Sequence, residues 1–242
     1  MLLFVGMVST VRAQSNPGYM GLKESLSLDV NANFGAIFSG GNWNHINYGL
    51  SYEYARNKTS AFKFGIKRHS GALDGEYFYY YADGYYVQNT GEDIGFVKNS
   101  NKITYNINEI YYQANFYRED LGAIAPFGPY IGIELSASMI TPKSNTLTMT
   151  GNIYPELNYT PNNIYGFHTS IHWGSKRMIN DNFGYYWDFA SGFTLLQSGQ
   201  ISVFGSEYEE YEQPKDIIEY EMASQLAYSK LIQVSAGLIY LF

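Results

Sequence analysis

The 242-residue sequence contains no cysteine, which excludes a disulfide framework, thiolate chemistry and a cysteine-based zinc site. Positive charge is scarce too. Fifteen lysines and arginines face 22 aspartates and glutamates, a formal net of -7, so the chain has no basic face for nucleic-acid phosphates. Downstream of the first residues there is no apolar run of the roughly 20 residues that a membrane-crossing helix needs. No segment sustains a helical period either. If the chain crosses a bilayer, the route left to it is a closed barrel of strands, in which every backbone group is paired.

Aromatic residues, by contrast, are abundant at 18%, with 25 tyrosines. Tyrosine has an apolar body and a polar tip, which suits a boundary between water and an apolar phase. The first ten residues, MLLFVGMVST, form an apolar core, and Val11-Arg12-Ala13 places small residues at the usual minus-three and minus-one positions of an export cleavage site. Residues 1–13 are therefore expected to be a cleaved signal peptide and 14–242 the mature chain. The positive segment that normally precedes such a core is missing, so the start is expected to lie upstream or to be misassigned.

The dominant pattern is alternation with period two, the signature of strands with one apolar face. Leu26, Leu28, Val30, Ala32 and Phe34 oppose Ser27, Asp29, Asn31 and Asn33. Ile46, Tyr48, Leu50, Tyr52 and Tyr54 oppose His45, Asn47, Gly49, Ser51 and Glu53. The same alternation recurs around AFKFGIK, NEIYYQANF, PFGPYIGIELSASM (with Phe127 on the apolar side), IYGFHTSIHW, FGYYWDFASGFTL and the final strand. Eight strands of this length predict an all-β, eight-stranded antiparallel transmembrane β-barrel, apolar outward and polar inward. Links near 55–60, 118–120 and 178–182 are tight; on the other side those at 70–102, 141–162 and 197–224 are long, with SGGNWN (39–44) the short exception. That asymmetry predicts short periplasmic turns and long extracellular loops. Ile218, Tyr220, Met222, Leu226 and Tyr228 keep the register of the last strand, which is therefore expected to continue above the membrane.

The chain ends on SAGLIYLF. Ser235, Gly237, Tyr240 and Phe242 resemble the β-signal of bacterial outer-membrane proteins, which implies recognition by the outer-membrane assembly machinery through edge pairing. Residues 20–242 as a whole resemble small eight-stranded barrels of the OmpA/OmpX type, and GPYIGIEL looks like barrel proteins of Bacteroidota. The resemblance implies an integral protein of a Gram-negative outer membrane, in contact with its lipid and lipopolysaccharide. No further domain is expected after Phe242.

Three constellations are candidates for function. His168-Thr169-Ser170 resembles the His-x-Ser of outer-membrane lipid A deacylases, implying a base and a nucleophile; Ile171 stands where that family has asparagine, and the alternation turns both residues away from lipid. The inward ionisable residues His45, Glu53, Lys63, Lys67, Glu109, Glu134, His172 and Asp188 are expected to form a lumen-filling network, with an ion path as the alternative. Tyrosine-rich, acidic loops form the third set: Tyr79, Tyr80, Tyr81, Tyr85 and Tyr86, then Tyr208 and Tyr211, a contact surface for a partner protein or glycan. The leading expectation is a non-enzymatic structural or docking barrel, without cofactor or metal. A lipid A-modifying hydrolase and a small pore are the alternatives.

Overall fold

In a computed structural model of the chain, residues 21–34, 46–73, 103–143, 145–147, 157–159, 162–198 and 214–242 are described. The strands are β1 (Glu24–Asn33), β2 (Ile46–Ala55), β3 (Ser60–Leu73), β4 (Ile103–Tyr117), β5 (Gly128–Pro142), β6 (Asn145–Leu147), β7 (Leu157–Tyr159), β8 (Ile164–Met178), β9 (Phe183–Gln197) and β10 (Gln233–Leu241). One α-helix, α1 (Pro214–Tyr228), precedes β10. Eight strands close a barrel in the order β1-β10-β9-β8-β5-β4-β3-β2, while β6 and β7 pair separately. Every ladder is antiparallel. The β1–β10 seam aligns Ser25 with Leu241 and Asn33 with Gln233. Both ends of the closed sheet therefore lie at one rim, where the Phe242 amide donates to the Glu24 carbonyl (3.1 Å). The turns after β2, β4 and β8 share this turn end; the opposite rim is the loop end.

Burial alternates along each strand, and it is the apolar side that is exposed. Leu28 is 63% exposed, Tyr48 66%, Ile110 64% and Leu238 62%, whereas Asp29, Asn47, Glu109 and Glu134 point inward and are buried. A soluble barrel has the reverse polarity. Rows of outward-facing side chains run from strand to strand in direct register: Leu28, Leu50, Ile66, Ile110, Ala137 and Phe167 form one. An exterior that presents large apolar side chains on every strand is a surface for hydrocarbon. Aromatic pairs sit at the turn end, among them Phe183 and Tyr240 with ring centroids 5.0 Å apart.

Glycines in the wall create room for tyrosines in the lumen. Gly65 faces Tyr111, Gly71 faces Tyr105, Gly174 faces Tyr130 and Gly237 faces Tyr186, each directly across a ladder. A Cβ at Gly65 would stand 2.5 Å from the Tyr111 ring, and one at Gly174 2.6 Å from the ring of Tyr130. At all four positions a side chain would collide with the ring, which only glycine avoids. Part of the tyrosine excess is thus spent inside the barrel rather than at the membrane boundary.

Three expectations need correction. The residues before β10 do not extend that strand; they form α1, and Met222, Ala223, Ser224, Gln225 and Leu226 are all buried. The connection after β4 is also longer than a tight turn. It runs through a 3₁₀ turn at Glu119–Leu121 and an isolated bridge between Ile124 and Phe127 before β5 begins at Gly128. Phe127, expected on the apolar outer face, is buried with Tyr186, Ile239 and Leu241 as a floor to the lumen. It lies before the strand, so the alternation that assigns the faces does not apply to it.

Candidate functional site

Inward-facing positions on the barrel strands bring charged side chains to one axis. Glu53, Lys63, Lys67, Glu109, Glu134, His172 and Asp188 are all buried in the lumen. His45, the remaining residue of the expected set, lies outside the described residues, as do residues 1–13 and the loop tyrosines Tyr79, Tyr80, Tyr81, Tyr85, Tyr86, Tyr208 and Tyr211. The structure adds three members: Asp29, Lys176 and Lys230. Asp29 sits on the polar face of its strand, and its charge alone marks it off from Ser27 and Asn31. Lys176 keeps the parity of His168, Ser170 and His172 but lies beyond the IYGFHTSIHW run; continuing the alternation reaches it. Lys230 follows a helix, and no periodic signal marks it.

The charges are arranged in connected clusters. Toward the loop end Lys230 pairs with Glu109. Lys67 is 3.5 Å from Glu109 and donates to Glu134 at 3.0 Å. Nε2 of His172 lies 3.5 Å from Glu134, and its Nδ1 donates to Asp188 at 2.9 Å. Tyr130 donates to the other Asp188 oxygen. Lower in the lumen Lys176 pairs with Glu53, which also accepts from Asn115 and Tyr117, both at 2.8 Å. Lys63 stands 3.5 Å from Asp29, which accepts from Ser51 and Tyr111, both at 3.2 Å. The lysines also lie over aromatic faces: Lys67 is 4.3 Å from the centre of Tyr111 and Lys63 is 4.7 Å from that of Tyr186. Charges removed from water are tolerable when paired and hydrogen-bonded in this way.

The network is enclosed above and below. At the loop end, inward-facing Tyr105, Ile107, Ile140 and Ile164 are buried, as are Met222, Ala223 and Leu226 of α1. Leu226 reaches the wall at Gly166, where an added Cβ would be 2.8 Å from its methyl. The Lys230 carbonyl accepts from the Gly192 amide (2.9 Å) and the Ser229 carbonyl from Gln233 (3.0 Å), tying the segment after α1 to β9 and β10. At the turn end Phe127, Tyr186, Ile239 and Leu241 close one side. Tyr117, Tyr130, Ala55, Ala61, Ala123 and Ala125 close the other. Between the lids, a cavity of about 10 Å³ is lined by Asp29, Lys63, Glu134, His172 and Asp188 among others, room for about one water.

His168 and Ser170, the pair considered as base and nucleophile, take different partners. Nε2 of His168 is 2.6 Å from Ser138 and its Nδ1 2.8 Å from Thr194. Ser170 is instead 3.0 Å from Nε2 of His172, whose other nitrogen holds Asp188. Hydroxyl, imidazole and carboxylate thus stand in the order used by serine hydrolases. Ser170 is only 3% exposed, however, and the adjoining cavity has no space for an acyl group. Ser235 and Gly237 of the terminal motif face the lumen, where Ser235 donates to Asn31; Tyr240 and Phe242 face outward. Among the described residues no group of three or more His, Cys, Asp or Glu is placed to hold a metal ion.

No protein-family model matches the chain, and no curated protein matches it. Among solved structures it is similar to CarO of Acinetobacter baumannii, at 12% identity and a TM-score of 0.40, covering 93% of this chain and 100% of that one. It is similar to a major outer membrane protein from Thermus thermophilus, at 13% identity and TM-score 0.41, covering 90% and 99%. It is also similar to Ail, the attachment invasion locus protein of Yersinia pestis, at 8% identity and TM-score 0.36, covering 91% and 96%. The closed eight-strand ladder makes the chain a barrel independently of these distant likenesses.

Proposed function

We propose that the chain is an integral outer-membrane barrel with a non-enzymatic structural or docking role, its loop end facing outward to meet a partner protein or glycan. The observation that carries this reading is the combination of a hydrocarbon-type exterior with a lumen filled and lidded at both ends. In such a barrel the cavity beside Lys63, Glu134, His172 and Asp188 holds about one water, so its surfaces are the means by which it acts on anything else. The sequence between β3 and β4 carries Tyr79, Tyr80, Tyr81, Tyr85 and Tyr86, and that between β9 and α1 carries Tyr208 and Tyr211; tyrosine provides a large contact area at low entropic cost. Recognition of the terminal Ser235, Gly237, Tyr240 and Phe242 by assembly machinery belongs to the same reading.

The test is crosslinking on intact cells, followed by purification in mild detergent, for the native chain and for variants lacking 76–87 or 206–213. The second deletion stops short of α1, which is part of the lid. A partner recovered with the native chain and lost with either deletion supports docking. Recovery of no partner, or of the same partners from all three chains, overturns it.

A further inference from the structure

The outer wall over β2–β5 is hollowed. Two adjoining depressions, of about 670 and 640 Å³, share Leu50, Ile66, Ile110 and Ala137. These four are consecutive members of one cross-strand row. Ala137 is the small member, and its lack of bulk deepens the wall between Ile110 and Phe167. One row nearer the loop end, Tyr48, Arg68 and Asn108 stand side by side, and all three line the second depression. The next row is already polar, with Ser70 donating to Asn106 at 2.8 Å. The border between hydrocarbon and headgroups on this side of the barrel thus falls at Arg68.

Arg68 is unusual in its position. Among the described residues, outward-facing strand positions carry three charges: Glu24 and Arg177 at the turn end, and Arg68 toward the loop end. Arg68 is exposed and has no ion-pair partner among the described residues. A guanidinium at the headgroup border, on the rim of an apolar hollow, fits a phosphate bearing acyl chains, because its planar fork matches phosphate oxygens. A second copy of the chain is a poor occupant. A two-fold interface centred on this hollow would bring Arg68 against its own symmetry mate, and like charges repel in a low-dielectric setting.

We propose that this hollow is a lipid site: an acyl chain of a phosphate-bearing lipid from the loop-side leaflet lies along Leu50, Ile66, Ile110 and Ala137, and Arg68 holds its phosphate. The site rests on the outer-membrane reading, in which that leaflet's lipid is a phosphorylated, multiply acylated glycolipid. Asn108 offers a further amide donor to the phosphate, while Tyr48 and Tyr165 flank it with their hydroxyls at the border.

Native mass spectrometry of the detergent-purified barrel tests this, with bis-phosphorylated lipid A, phosphate-free lipid A and inorganic phosphate as probes. The native chain is expected to retain the phosphorylated lipid. R68Q should retain roughly tenfold less, the scale of a lost charged hydrogen bond, and A137W, which fills the hollow, should lose it. R68K, with its charge but no fork, should fall between. Variants are compared only as folded barrels, judged by the shift in gel mobility between unheated and boiled samples. Equal retention by the native chain and R68Q overturns the proposal. So does equal retention of the phosphate-free lipid, an Arg68-dependent adduct with inorganic phosphate alone, or a dimer mass in place of the lipid adduct. If instead the chain stays folded in buffer without detergent, the membrane reading itself fails, a result distinct from these.

Discussion

At the residue scale, the lumen shows what a buried charge needs. Glu53 is 1% exposed and holds three partners, Lys176, Asn115 and Tyr117. Removing Lys176 leaves that carboxylate buried with only neutral donors. Lys176→Met is expected to destabilise the barrel by roughly 3–5 kcal/mol, whereas replacing the pair together, Glu53→Leu with Lys176→Met, should recover most of the loss. Urea titration of tryptophan fluorescence in lipid vesicles measures both; equal losses in the single and double variants would show that the pairing is not what holds Lys176. Ser170 poses the opposite question, since its geometry resembles a nucleophile's but its surroundings do not. Ser170→Ala is expected to leave the acylation pattern of lipid A, read by mass spectrometry in cells expressing either chain, the same as with the native protein. A change that depends on Ser170 would assign it to catalysis.

At the scale of elements, the eight strands were legible because each has lipid on one side and a packed lumen on the other, and that contrast writes itself into the sequence with period two. The inward direction of Lys63, Glu134 and Asp188 could be read in the same way. Helix α1 could not. Five consecutive residues from Met222 to Leu226 are buried, so no solvated face interrupts them and no period of 3.6 results. Ile218, Tyr220 and Met222 merely imitate alternation. The pairing of Gly237 with Tyr186 was also hidden, since it depends on register between strands and not on order along one. Because Met222 and Leu226 lie at the loop-end mouth, Met222→Asp with Leu226→Asp is expected to free the helix from the lid while the barrel stays closed. Protease digestion of the folded protein in detergent should then cleave within 214–228, a segment protected in the native chain; equal protection in both would place the helix's anchorage elsewhere.

At the scale of the whole molecule, the lids decide what the barrel transmits. Apolar clusters at both ends enclose the ionic network, and the cavity between Asp29, Lys63, Glu134, His172 and Asp188 has space for about one water. In a planar bilayer the native chain is expected to show no steady ion current, and the Met222→Asp, Leu226→Asp variant none either, because the turn-end floor still closes the lumen. Sustained single-channel steps from the native chain would overturn the filled-lumen description. The wall is also uneven. β10 has 9 residues and β1 has 10, yet β4, β5, β8 and β9 each have 15. The strip where first and last strands meet is therefore stitched over a shorter length than the side opposite. The neighbouring ladders β9–β10 and β2–β3 are as short, so a cylinder made in this way opens first on its thin side, among β10, β1 and β2, and not at β4, β5 or β8.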